Sequence, residues 1–300
     1  MNKLKIIWNI ISLVKSWPRV FLVKFGIIKR AEICFRNGYI FTLEPQGFGN
    51  LTGLIGFFRD FPEGKVEKNG TVRFRYREKD IVFSFGSVGV HSFERIEWGD
   101  FFKDEDIKEK TVIDFGCSIG DTPIWFGTRG AKRVIGFEML PYRHNLALRN
   151  VSLNKLDEVC QVKNEAVGGR RGKITVNTKQ EHSEHYSQLD DLAKRGPRTV
   201  EIPVVTLADI VKDYEVEDGS IIKSDIQGGE YEVFMSAPDS ILKKFDLIVI
   251  RFYYQRDSRA EKLQKRFESV GFQCKFIKPK KWGCGYLIAR NSYFRVKSDF

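Results

Sequence analysis

Beyond residue 110 the chain alternates short, almost wholly apolar runs with longer stretches in which hydrophobic positions recur every three or four residues. The runs at 111–115, 133–137, 159–164, 220–224 and 247–252 read as strands. Their continuous rather than alternating hydrophobicity is what strands covered on both faces show. Between them, 142–154, 206–213, a stretch from 231 and 258–270 carry helical spacing. This strand–helix alternation predicts an α/β fold, a doubly wound and mostly parallel sheet with helices on both faces. Runs 273–277 and 285–289, joined by 278–283, read as a closing hairpin, which makes one strand antiparallel. Segments 173–176 and 200–204 interrupt the alternation and predict an inserted strand pair around a polar loop, 177–198.

The pattern upstream is different. Residues 1–30 are helical in spacing, interrupted at Pro18. Two apolar runs, 32–36 and 39–43, flank Asn37-Gly38, a strong hairpin signal. A short amphipathic helix at 51–61 and strands at 71–76 and 80–85 follow. Residues 1–105 therefore read as a small α+β extension, and 106–300 as the α/β domain.

Composition narrows this picture. At 42% hydrophobic and 13% aromatic, 300 residues can bury a sizeable core. Five scattered cysteines with no C-x-x-C pair do not make a disulfide framework, and the four histidines lack metal spacing. His182 and His185 lie in a polar stretch that reads as a solvated loop. No metal is expected. The net charge of +11 is uneven: residues 1–40 hold eight Lys/Arg against Glu32, and 256–300 hold twelve against four acids, so the middle is slightly acidic. Basic ends suit an anionic surface, membrane or RNA, or are simply solvated. The apolar stretch 6–14 is too short to span a bilayer. Its helical spacing predicts an amphipathic helix packed on the protein, with a membrane-surface helix as the alternative. The expected location is cytoplasmic, with peripheral membrane contact as an extension of that reading.

Candidate chemistry concentrates at two strand tips. Asp114-Phe115-Gly116-Cys117-Ser118-Ile119-Gly120-Asp121 forms a D-x-G-x-x-x-G-D turn, after which Thr122 and Pro123 suit a helix start. Glu138 ends the next strand, about 20 residues on, where a βαβ nucleotide site grips ribose hydroxyls. The turn is not G-x-G-x-x-G, and its flanking acids disfavour a pyrophosphate. They suit a nucleoside cofactor with a cationic centre and an amine, as in S-adenosyl-L-methionine. The plainer alternative is a βαβ unit whose glycines only serve the turn. The second constellation, Lys223-Ser224-Asp225-Ile226-Gln227-Gly228-Gly229-Glu230, sits at the tip of the strand expected beside the first. It would bring Lys223, Asp225, Gln227 and Glu230 over the same crevice. For Glu230 the alternative is an acid favoured by the helix dipole.

Four segments, VIDFGCSIGDTPIWF, AKRVIGFEMLPY, IPVVTLADI and IIKSDIQGGEYEVF, together resemble the FkbM-type methyltransferases in their archaeal form, over about 111–290. The resemblance implies a Rossmann-like, seven-stranded fold using S-adenosyl-L-methionine. It implies that Asp114, Gly116, Cys117, Ser118 and Gly120 surround the methionine part, with Asp121 and Met139 alongside. It further implies Glu138 at the ribose, and Asn164, Glu165 and Ala166 at the adenine. Asp225 would lie beside methyl donor and acceptor, as base or orienting group, with Lys223 or Gln227 holding neighbouring polar groups. The implied reaction is O-methylation of a sugar, glycolipid or small metabolite. Gln227 stands where the family usually has glutamate, Arg251 where it often has an acid, and Met139 where proline commonly follows the ribose acid. Two other functions remain open from the residues: an RNA methyltransferase using the basic ends, and a non-catalytic binding protein on the same fold. Subunit pairing through the hairpin-rich extension is also open.

Overall fold

The computed structural model describes residues 3–67, 70–84, 97–177, 199–253, 259–277 and 284–294. It divides into two compact units, Met1–Ile96 and Glu97–Phe300.

In the first unit, α1 (Lys3–Leu13) and α2 (Trp17–Lys24) replace one interrupted helix, and Pro18 lies in the first turn of α2, where its missing N–H is harmless. Ile10 and Val14 are buried, whereas Ile7 and Trp8 are exposed, so only part of the apolar stretch packs inward. β1 (Ala31–Cys34) and β2 (Ile40–Leu43) form the expected antiparallel hairpin. After α3 (Phe48–Asp60), strands β3 (Lys65–Val66), β4 (Thr71–Tyr76) and β5 (Lys79–Ser84) make an antiparallel sheet. Aromatic packing fills this unit, with Phe61 stacked on Phe74 at 3.8 Å and Phe57 5.2 Å from Phe58.

The second unit opens with Trp98 and Phe102, both buried, and the short helix α4 (Asp104–Ile107). Its main chain then runs β6 (Thr111–Phe115), α5 (Asp121–Thr128), β7 (Arg133–Phe137), α6 (Pro141–Leu153), β8 (Cys160–Lys163), β9 (Ala166–Val167), β10 (Gly172–Asn177), β11 (Thr199–Val205) and α7 (Leu207–Asp213). It continues through β12 (Ser220–Ser224), α8 (Glu230–Ser236), α9 (Asp239–Leu242), β13 (Phe245–Tyr253), α10 (Arg259–Val270), β14 (Phe272–Ile277) and β15 (Cys284–Asn291).

Seven strands lie in the order β14-β15-β13-β12-β6-β7-β8. The neighbours from β8 to β13 are parallel, and β15 runs antiparallel to both β13 and β14. This is the Rossmann-like, mostly parallel arrangement with one reversed strand. Every residue of β6 is buried, as its unbroken apolar run requires. Successive side chains alternate between faces. Ile113 and Phe115 join a core with Leu207 and Ile210 of α7, Phe234 of α8 and Phe267 of α10. Asp114, on the other face, meets α5.

The inserted strand pair is real and is joined by a strand the sequence did not announce. β10 and β11 are antiparallel, and β11 also pairs in parallel with β9. Loop residues 178–198, which include His182, His185 and Tyr186, and the connection 278–283 lie outside the described residues.

Candidate functional site

The seven-stranded sheet reverses its order between β6 and β12, and both candidate turns sit at the carboxyl tips of those two strands. In open α/β sheets that crevice is where ligands bind. The tips are locked together: the Asp225 N–H donates to the Phe115 carbonyl at 2.9 Å. A Cβ on Gly116, whose φ is +75°, would lie 2.2 Å from the Asp225 carbonyl oxygen. Gly116 is therefore demanded twice, by a left-handed backbone and by the approach of the neighbouring tip.

The turn itself is held from below. Ser118 also adopts a left-handed φ of +49°, uncommon for a residue with a side chain, and its N–H donates to Glu138 Oε2 at 3.0 Å. Such strain persists where surroundings over-determine it, often at binding sites. The other Glu138 oxygen accepts from the Leu140 N–H at 2.9 Å. Burial raises the Glu138 pKa above its ordinary value, against the pull of these two amides. Each oxygen keeps a second lone pair, so the carboxylate can still accept from a diol. Asn164 donates to the carbonyls of Glu138 at 2.9 Å and Met139 at 3.1 Å, fixing the loop that carries the acid.

Asp114 and Lys223 are register partners on β6 and β12. The carboxylate is fully buried, 2.8 Å from Lys223 Nζ, and it accepts from the Thr122 hydroxyl at 2.5 Å. Lys223 also donates to the carbonyls of Gly116 at 2.9 Å and Phe115 at 3.4 Å, and its ammonium lies 5.3 Å from the Trp98 ring. Burial would lower the Lys223 pKa, but the attraction of Asp114, Asp225 and Asp121 outweighs it and holds the ammonium above its usual value. From the sequence Lys223 is expected among the catalytic residues, holding neighbouring polar groups beside Asp225; the groups it holds are those of the β6 tip. All three of its protons are directed at Asp114 and the turn carbonyls, so it supports the turn from inside. Asp114 likewise lies beneath the turn rather than facing the crevice. Asp121, in the first turn of α5, is half-buried; desolvation and the nearby Asp114 push its pKa up to about 6, against Lys223.

Four other expected residues turn elsewhere. The Cys117 thiol packs where a side chain on Gly136 would otherwise go, only 2.8 Å from that position, and burial raises its pKa well above the ordinary value. Ala166 belongs to a small core with Leu140, Val176 and Ile202, against which Met139 packs. Glu165 is half-buried with its pKa raised by burial, and its charged neighbours are Lys163 and Asp213, at the end of α7, not groups of the turn.

At the β12 tip, Glu230 accepts from the N–H groups of Ile226 at 2.9 Å and Gly228 at 2.7 Å. Burial first, and the charge of Asp225, lift its pKa to about 7. Glu230 thus shapes the turn, in which Gln227 has φ +55°. Asp225 Oδ2 meets Arg251 Nη1 of β13 at 3.3 Å. Its Oδ1 is buried and has no hydrogen-bond partner among the described residues. Among the described residues no group of three or more His, Cys, Asp and Glu side chains is placed to hold a metal ion.

Trp98, Asn150 and the pairing of Arg251 with Asp225 escaped the sequence reading. Asn150, buried in α6, donates to the Ile119 carbonyl at 2.8 Å and so anchors the turn. A lone amide inside a helical pattern was its only signal. Trp98 is remote in sequence from Lys223, and nothing local marks it.

A family model described as the methyltransferase FkbM domain matches residues 114–287. No curated protein matches the sequence. Among solved structures, the chain resembles M. capricolum TrmK in complex with S-adenosyl-homocysteine, at 12% identity over 63% of this chain and 68% of that one, with a TM-score of 0.38. It resembles a ribosomal protein L11 methylase from Lactobacillus delbrueckii subsp. bulgaricus at 14% identity, over 68% and 77% of the two chains, with a TM-score of 0.35. A human methyltransferase 10 domain containing protein is 14% identical over 66% and 79%, with a TM-score of 0.38. At these scores the likenesses carry no argument about chemistry.

Proposed function

The chain belongs to the FkbM methyltransferase family, with more than half of its length matched, and from that premise we propose that it transfers a methyl group from S-adenosyl-L-methionine to a hydroxyl on a sugar, glycolipid or small metabolite. The observation that carries this reading is Asp225: one carboxylate oxygen held by Arg251, the other buried with no hydrogen-bond partner among the described residues, on a strand tip in contact with the glycine turn.

The residues present fit the cofactor. Gly116 and Gly120, at φ +75° and +84°, let the turn bend tightly at the strand tip, and Asp121 offers a carboxylate for a cationic group. Glu138 has acceptor capacity for ribose hydroxyls, and Asn164 holds its loop in place. The cofactor would supply an electrophilic methyl carried on a sulfonium. Displacement at such a carbon depends on alignment, and an alcohol also needs somewhere to send its proton. Asp225 Oδ1 is the acceptor for that proton, or orients the hydroxyl, while Arg251 fixes the carboxylate. Gln227 follows Asp225 two residues on, in the same turn, at φ +55°. Lys223 and Asp114 act as positioning residues beneath.

Calorimetric titration with S-adenosyl-L-methionine and its demethylated product tests the cofactor, and transfer of labelled methyl to sugar, glycolipid and RNA pools tests the acceptor. Binding that weakens in Glu138→Gln, with transfer lost in Asp225→Asn at unchanged cofactor affinity, is the expected result. Full turnover in Asp225→Asn removes its role. Cofactor binding without transfer to any pool favours a non-catalytic binding protein, and transfer to RNA alone replaces the hydroxyl acceptor proposed here.

A further inference from the structure

The first unit carries a feature with no place in methyl transfer. α2 ends in the sequence Lys24-Phe25-Gly26-Ile27-Ile28-Lys29-Arg30. Its backbone is fully organised. The Gly26 N–H donates to the Val23 carbonyl at 3.1 Å, the Ile27 N–H to the Leu22 carbonyl at 2.9 Å, and Gly26 takes φ +71°. These are the two hydrogen bonds and the left-handed residue of a Schellman cap.

In that motif the residue after the glycine ordinarily folds back to make an apolar contact with the last helical turn. Here Ile27 does not: it is 66% exposed, and Phe25 on the other side of the glycine is 72% exposed. Lys24, Lys29 and Arg30 are exposed too, and no acid lies between residues 24 and 30. A hydrogen-bonded loop thus presents two bulky apolar side chains in water, flanked in sequence by three exposed cations. The wider stretch 15–36 holds six lysines and arginines against Glu32 alone.

We propose that the Phe25–Ile27 loop is a membrane-docking element that inserts these two side chains at the headgroup–acyl boundary of an anionic phospholipid surface while Lys24, Lys29 and Arg30 pair with lipid phosphates. An apolar tip within a basic collar is what an interfacial anchor requires. A nucleic-acid surface would use the cations but leave the aliphatic Ile27 without a partner. A docked protein would ordinarily meet a polar rim of mixed sign. Because the cap fixes the backbone, little conformational entropy is lost on docking. The inference stands independently of the methyl-transfer reading.

The test is co-sedimentation of the full chain with vesicles of phosphatidylcholine alone and with roughly a third phosphatidylserine added. The protein partitions onto the anionic vesicles. Phe25→Ser/Ile27→Ser lowers that partition at least about tenfold, and Lys24→Gln/Lys29→Gln/Arg30→Gln lowers it by roughly a hundredfold, at about fivefold per charge. Thermal melts coincident with wild type show that both variants fold. Wild-type protein that stays in solution with both vesicles overturns the proposal. So does a Phe25→Ser/Ile27→Ser variant that sediments as wild type does. Retention on single-stranded RNA in place of vesicles, lost in the charge variant alone, assigns the loop to nucleic acid and also overturns it.

Discussion

Replacing Lys223 by methionine separates a residue that supports the turn from one that acts on the acceptor. The side chain is 3% exposed and lies against a carboxylate, Asp114, that is 0% exposed. Methionine fills a similar volume but leaves Asp114, among the described residues, with the Thr122 hydroxyl alone, removes the Lys223 donor from the Gly116 carbonyl and takes one of two donors from the Phe115 carbonyl. Removing one member of a buried ion pair costs about 3–5 kcal/mol, because the remaining charge is stranded. In a unit of this size each kcal/mol shifts the melting temperature by roughly 2–4 °C, so Lys223→Met should melt about 6–20 °C below wild type. Adding Asp114→Asn removes the stranded charge and should recover part of that loss. Differential scanning calorimetry on the wild type, both singles and the double variant provides the cycle. The reasoning is refuted if Lys223→Met melts with wild type while methyl transfer disappears. Lys223 would then face the substrate after all.

Three further outcomes are expected. Gly116→Ala should lose roughly 3 kcal/mol or more, and cofactor binding with it, since left-handed φ costs about 1–2 kcal/mol and the new Cβ meets backbone; Gly130→Ala, at φ +91° with its nearest neighbour a lysine side-chain carbon at 3.7 Å, should lose only the conformational part in the same melt. Glu230 has its folded pKa raised to about 7, so its contribution to stability is full below its unfolded value and disappears as pH rises through about 7. Denaturation between pH 4 and 8 should show that decline, about 3 kcal/mol for this group, in wild type and a flatter profile in Glu230→Gln; an identical slope in both removes the assignment. Asp121, at about 6, should make cofactor affinity climb as pH rises through that value, because the ionised form attracts a cation; calorimetry on Asp121→Asn should give a flat profile, and a flat wild-type profile would exclude the carboxylate from cofactor binding.

The elements that position the site were legible where a single period dominated. Strands β6, β7 and β12 fall where their apolar runs lie, because a strand buried on both faces leaves no polar interruption to blur its ends. The reversal of β15 followed from the closing hairpin. β9 was hidden because two residues carry no periodicity, and its pairing with β11 is a long-range event. Within the site, backbone-driven features such as Gly116 could be read from residue type. Side-chain direction could not. Lys223 and Asp225 are two apart on one chain, yet the first is held inside by Asp114 and Trp98 while the second remains at the tip. Cys117 and Ala166 lie within motif segments and still face inward, since the space opposite Gly136 and beside Ile202 accepts them. Those facts depend on partners brought together only by folding.

The placement of β15 has a consequence for how the chain is made. It is the last strand in sequence, yet it lies between β13 and β14, and both hold it by antiparallel pairing. During synthesis β13, whose residues from Leu247 to Ile250 are wholly buried in the finished sheet, therefore emerges long before the strand that closes its edge. Until Cys284–Asn291 leaves the ribosome, the nascent sheet displays a nine-residue, largely apolar border, interrupted by Asp246 and Arg251, with unpaired amides, the kind of edge that recruits foreign strands. Pairing of β13 with β15 therefore waits on a strand made more than 30 residues later, and until then the β13 edge is open to other chains.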